Sequence, residues 1–293
     1  MHPYDAFFYF RENFFMPKTT TAFLLGISIS FMACNNSTET KTSETESKRD
    51  SMSIKEEAVS YSADSTTMDG YVAYDGSKEG KRPVVLVVPE WWGVTDYPKM
   101  RARKLAELGY LAMVVDMYGN GKTVDNPSDA TSLSTPFYKN PQMGFQRFEA
   151  ALQKVKTFPQ ADTTQIAAIG YCFGGGMVLN AAKLGADLKG TVSFHGSLAG
   201  VPANKDLLKS RILVCHGEAD PFVPKADVDA FKKSMDSIHA DYTFKAYPGA
   251  VHAFTNPEAT NYGKKFNLPL AYNAAADTAS WNDMKSFFAK IFK

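Results

Sequence analysis

The sequence predicts an α/β protein with a mainly parallel sheet and helices on both faces. Two observations carry this reading. Runs such as "PVVLVVPE", "LAMVVDMYG" and "QIAAIGYC" are apolar at consecutive positions, as strands buried on both faces must be. Between them, apolar residues recur at helical spacing, so strand and helix alternate and crossovers join parallel neighbours. With 293 residues and 44% hydrophobic content, the chain can bury one large core, and one such domain suffices without an internal repeat.

The domain reading covers residues 54–293. "EEAVSYSA" and "DGYVAYD" alternate in polarity and read as two antiparallel strands joined by a polar turn. "PVVLVVPE" is the first buried strand, and a helix over Tyr97–Leu108 follows, ended by Gly109 as a C-terminal cap. "LAMVVDMYG" is the next strand. Residues 124–144, with Pro127 and Pro136, read as a loop, and Phe145, Phe148, Leu152 and Val155 then mark an amphipathic helix. "QIAAIGYC" (strand), "GGMVLNAAKLG" (helix), "GTVSFHG" and "SRILVCHGEAD" (strands) continue the pattern. Val228, Phe231 and Met235 mark a further helix, "YTFKAYP" the last strand, and Trp281, Met284, Phe287 and Ile291 the closing helix.

Ahead of this domain, "MPKTTTAFLLGISISFMAC" has a basic start at Lys18 and an apolar core too short to span a membrane, as an export signal has. Met16 is the better start for it, which makes residues 1–15 an upstream extension. "FMAC" resembles a bacterial lipobox: Ala33 fits, Phe31 departs from the usual leucine, and Cys34 would carry the lipid. Residues 1–34 are therefore read as extension and export or lipoprotein signal. Residues 35–53, polar and charged, are read as a disordered tether. The expected location is the cell envelope, with the membrane reached through a lipid at Cys34.

Charge and cysteine usage narrow the function classes. The 32 basic and 31 acidic residues nearly cancel and form no basic stripe, which gives no support to a nucleic-acid partner. Cys34, Cys172 and Cys215 are too few and scattered for a disulfide framework, and no spacing suggests a metal site; no metal or cofactor is expected. Cys215, inside "RILVCHG", reads as a core residue.

Cys172 needs another explanation. It stands in "IGYCFGGG", a G-x-C-x-G pattern at a strand end that resembles a nucleophile elbow. Asp220 in "HGEADPFVP" and His252 in "PGAVHAF" follow later strands, and the order nucleophile, acid, histidine is that of the α/β-hydrolase triad. A histidine in reach can take the thiol proton and later activate water, and a carboxylate behind it sets its tautomer. The N–H of Phe173 would supply half of an oxyanion hole, and that of Trp91, after "VVLVVPE", the other half. Glu218 is the alternative to Asp220, and His195 and His216 are competitors of His252, set aside by chain order.

Together, "PVVLVVPEWWGVTDYPKMRARKLAELGYLAMVVDMYGNGK", "IGYCFGG", "HGEADPFVP" and "YPGAVHAF" resemble the dienelactone hydrolase family of α/β-hydrolases, from about residue 56 onward. The resemblance implies the triad Cys172, Asp220 and His252. It also implies a role for Glu90, which would contact the resting thiol and help deprotonate it when substrate binds. His195 and His216 would be structural. Trp92 and Tyr118 would line the pocket or pack beneath it. Where the dienelactone enzymes have a substrate-binding arginine four residues after the histidine, this chain has Asn256, and Arg147 does not align with their other arginine. The expected activity is opening of a lactone or cleavage of a small carboxylic ester through a cysteinyl acyl intermediate. The alternative is a tethered binding protein that keeps the fold without turnover; an intact triad argues against it.

Overall fold

The computed structural model describes residues 52–292, so the readings of residues 1–51, including the signal and Cys34, lie outside the described residues. Eight strands form one sheet: β1 (Ile54–Ala63), β2 (Thr66–Asp75), β3 (Arg82–Val88), β4 (Leu111–Val114), β5 (Ala161–Tyr171), β6 (Gly190–Phe194), β7 (Arg211–Gly217) and β8 (Tyr242–Tyr247). Their spatial order is β1-β2-β4-β3-β5-β6-β7-β8. β2 runs antiparallel to both β1 and β4, and all other pairs are parallel. This is the α/β-hydrolase fold. The described helices are α1 (Asp96–Glu107), α2 (Pro127–Lys139), α3 (Pro141–Val155), α4 (Phe173–Lys183), α5 (Lys225–Ser237), α6 (Ala259–Phe266) and α7 (Ala274–Ile291).

The consecutive apolar run of β3 serves two cores. Val84, Leu86 and Val88 pack with Phe148 and Leu152 of α3 and Val178 of α4, whereas Val85 and Val87 pack with Leu105 of α1 and Met284 and Phe288 of α7. All five strand residues are fully buried, each contributing about 1.5–3 kcal/mol as an upper figure. A third cluster joins Leu179 and Ala182 of α4 to Phe231 and Met235 of α5 over Ile212 and Val214. α1 ends as its glycine predicts: Gly109 (φ 92°) donates to the carbonyl of Ala106 at 2.9 Å and Tyr110 donates to that of Leu105 at 3.1 Å, a Schellman ending.

Residues 124–144 depart from the sequence reading, for they form α2 and the start of α3 rather than a loop. Pro127 occupies the first helical position, where no amide hydrogen is needed, and Asn126 accepts the Asp129 N–H at 3.0 Å as a cap. Pro136 lies inside α2, and burial of Ala130 and Phe137 in the core offsets its cost. Asn140 then closes α2 and caps α3. α6 has no counterpart in the sequence reading.

The chain runs from β3 outward to β4 and returns across β3 to β5, so the strand order reverses between β3 and β5. The carboxyl ends of strands at such a reversal open a crevice. β3 delivers Glu90 and Trp91 there, and β5 delivers Cys172.

Candidate active site

Cys172 caps α4 with φ 53° and ψ −116°, a conformation that non-glycine residues adopt only when their surroundings impose it. The flanking glycines show how it is imposed. A Cβ on Gly170 would collide with the carbonyl of Gly174, and one on Gly174 with the carbonyls of Val88 and Pro89. The start of α4 therefore lies backbone to backbone against the end of β3, which brings the Trp91 loop beside the elbow. Phe173 opens α4, and its N–H belongs to the first turn, where helix amides lack intrahelical acceptors. Tyr118 donates its hydroxyl hydrogen to the carbonyl of Trp91 at 2.9 Å and packs on Phe173 and Phe137 at ring distances of 5.7 and 5.9 Å. Tyr118 thus ties the Trp91 loop to the first residue of α4.

The residues picked out by chain order meet in space. His252 Nε2 lies 3.0 Å from Cys172 Sγ, and His252 Nδ1 lies 2.8 Å from Asp220 Oδ2. Asp220 is oriented by its other oxygen, which accepts the Phe222 N–H at 2.9 Å. Glu218 is exposed and Asp220 is buried, so position separates the two candidate acids. His252 follows β8 in a segment stitched to the chain before α7: Ala271 donates to its carbonyl at 3.4 Å and Asn273 donates to that of Phe254 at 3.0 Å. Burial opposes a charge on His252, yet the Asp220 carboxylate and the Cys172 sulfur overcome it and hold its pKa well above the ordinary value. The Asp220 carboxylate thus favours the imidazolium that forms when His252 takes the thiol proton.

Glu90 has a hydrogen-bond partner that the resemblance did not suggest. Its Oε2 accepts the Asn256 side-chain N–H at 2.7 Å, while the thiol is paired with His252. Asn256 cannot turn away easily, because its own oxygen accepts the Glu258 N–H at 3.0 Å. Glu90 is 3% exposed, and burial pushes its pKa up to about 7 against the pull of Asn256, His252 and Arg101. Arg147 is spent elsewhere: it donates to the carbonyl of Met117 at 2.5 Å and lies over the Phe137 ring.

Of the other singled-out residues, Trp92 is buried against Tyr262 and Phe266 of α6, with ring distances of 5.2 and 6.1 Å, beneath the Trp91 loop. His216 packs on Phe244 at a ring distance of 5.5 Å. Cys215 is fully buried, with the Tyr247 hydroxyl 3.5 Å from its sulfur. Among the described residues, no group of three or more His, Cys, Asp or Glu side chains could hold a metal ion, and no helix is long and apolar enough to cross a membrane.

Comparison with known proteins identifies the family. The dienelactone hydrolase family model matches residues 68–292. The chain belongs to the dienelactone hydrolase family. It is a hydrolase of that kind. A protein provisionally named carboxymethylenebutenolidase from Aquifex aeolicus is 28% identical over 241 residues, covering 80% of this chain and 98% of its own. One of the same provisional name from Methylorubrum extorquens is 31% identical over 187 residues, covering 60% and 64%. A solved structure described as a dienelactone hydrolase-like promiscuous phosphotriesterase from metagenomic libraries superposes with a TM-score of 0.77. It is 34% identical and covers 82% of this chain and 99% of that one.

Proposed function

We propose that this dienelactone hydrolase family member cleaves small, uncharged carboxylic esters or lactones through a thioester on Cys172. The observation that carries this is the unbroken line from Cys172 Sγ through His252 to Asp220, with contacts of 3.0 and 2.8 Å. His252 takes the thiol proton as sulfur attacks the acyl carbon, and the carbonyl oxygen becomes an oxyanion held by the Phe173 and Trp91 N–H groups. His252 then passes its proton to the departing alkoxide, which leaves as an alcohol or stays attached as the opened lactone. Water, losing a proton to His252, attacks the thioester; the acid is released and the thiol regains its hydrogen.

An uncharged acyl group is favoured because Asn256 meets Glu90 where the resemblance calls for an arginine. A substrate carboxylate would face a buried acid without a countercharge. Neutral phosphate triesters are a second substrate class for the same nucleophile, supported by the 34%-identical structure described above.

The test is a panel of neutral aryl esters, enol lactones, a phosphate triester and carboxylate-bearing analogues. Neutral esters should turn over at least ~10-fold faster by kcat/KM than their carboxylate analogues, a difference of about 1.4 kcal/mol. Rapid quenching and peptide mass spectrometry should find the acyl group on Cys172. An acyl group elsewhere, or preference for the carboxylates, would overturn the reading.

Export and anchoring belong to the same proposal, supported by the short apolar core ending in "FMAC" and the polar stretch after it. The full-length protein should partition with membranes, and Cys34→Ser should release it to the soluble fraction. Soluble wild type, or a variant that stays with the membrane, would sink the anchor.

A further inference from the structure

We propose that His195 and Thr255 form a strut that sets the distance between the sulfur of Cys172 and the imidazole of His252. The proposal rests on the Cys172–His252 chemistry above but assigns neither residue a chemical step. Both are positioning residues.

His195 follows β6 with φ 41° and is 1% exposed. Its Nδ1 accepts the Cys172 backbone N–H at 3.1 Å, and that N–H also points at the Phe194 carbonyl at 3.0 Å. Its Nε2 lies 2.7 Å from Thr255 Oγ1. Thr255 comes three residues after His252 on the same segment, so one imidazole spans the backbone of the nucleophile and the segment that carries the base.

The tautomer follows from the partners. An amide N–H can only donate, so Nδ1 of His195 is bare and the ring hydrogen sits on Nε2, directed at Thr255. A second ring hydrogen would set two donors against each other at Cys172, so the strut requires neutral imidazole. Edge-on contacts with His252 at 5.5 Å and Phe254 at 5.2 Å block rotation of the ring.

The far end is anchored as well. Tyr97 of α1 places its hydroxyl 2.6 Å from Thr255 Oγ1, and Arg101 donates to the Thr255 carbonyl at 2.5 Å. The same Arg101 nitrogen reaches Asp277 of α7 at 2.6 Å, and Arg101 is 2% exposed. Thr255 is therefore held through both side chain and backbone by groups that cannot shift without stranding a buried charge. With the elbow fixed on one side and Thr255 on the other, the 3.0 Å contact of sulfur and imidazole is a consequence of the strut rather than of the two side chains alone.

Thr255→Val and Thr255→Ser test this in the full-length protein. Valine keeps the shape but leaves the His195 Nε2–H buried without an acceptor, whereas serine keeps the hydroxyl. Two readouts are used: kcat and KM on a neutral aryl ester, and iodoacetamide alkylation followed on the Cys172 peptide by mass spectrometry. Valine should lower kcat and the alkylation rate about 10- to 100-fold with KM within about 2-fold, as expected when reacting groups are displaced by up to an ångström. Serine should restore both to within about 3-fold. Wild-type rates in the valine variant would overturn the strut, and so would a serine variant as slow as valine, since the methyl rather than the hydroxyl would then matter. Should the valine variant fail to fold, Tyr97→Phe decides: alkylation about 5-fold slower supports the strut and an unchanged rate refutes it. If wild type shows no ester turnover, the functional reading fails, while alkylation still judges the strut on its own.

Discussion

Cys172→Ala should reduce ester turnover by about 10⁴- to 10⁶-fold, and His252→Ala by a comparable factor. The two side chains lie 3.0 Å apart and act in one proton transfer, so removing either disables the same step. The double variant should therefore be little worse than either single one, the non-additivity expected of groups that work as a unit. Steady-state kinetics on the best neutral ester, with substrate-binding controls, reads this directly. A Cys172→Ala enzyme within 10-fold of wild type, or losses that multiply in the double variant, would mean that the sulfur and imidazole do not form one catalytic unit.

The second large effect concerns stability and comes from Glu90. A free glutamate ionises near 4.5, whereas burial pushes Glu90 in the folded protein up to about 7. Between those values the folded state holds one proton more than the unfolded chain, so stability falls as pH rises through that window. The full cost, reached above about pH 7, is on the order of 3 kcal/mol. This is the reverse of a paired surface carboxylate, which gains stability when it ionises. Glu90→Gln keeps an acceptor oxygen for Asn256 but cannot ionise. Its stability relative to wild type should improve by about that amount between pH 4 and pH 8, whatever constant offset the substitution brings. Urea unfolding at three pH values across the window measures the difference in slope. Parallel curves would show that Glu90 is ionised in the folded protein at low pH or that water reaches it freely.

Both effects draw on parts of the site that were legible to different degrees. The elbow could be read because its glycines are neighbours in sequence: Gly170 and Gly174 are required where β5 turns into α4 with no room for a Cβ. Asp220 and His252 could be read because each follows a strand, and parallel strands deliver their carboxyl ends to one edge. The Glu90–Asn256 hydrogen bond could not be foreseen from local pattern, since its partners are 166 positions apart and each has several plausible neighbours. The resemblance placed Glu90 near the thiol, and the structure adds Asn256 as the hydrogen-bond partner of its carboxyl. The segment around Pro127 and Pro136 misled for a related reason. Proline count argues for a loop, but the cost of one proline within a helix, about 3 kcal/mol, is offset when that helix buries side chains such as Phe137 against the core.

By itself the sequence determined the α/β class, the strands and the helices apart from α2 and α6, the elbow and the chain order of nucleophile, acid and base. These follow from periodicity and from backbone constraints that act over a few residues. Only the tertiary structure decided that His195 bridges Cys172 to Thr255, that Arg101 anchors that bridge, and that Glu90 is a buried acid held by an asparagine. Those features depend on which polar groups are buried together. A buried hydrogen-bonding group must find a partner wherever the fold brings one within 3 Å, and distance along the chain carries no information about that.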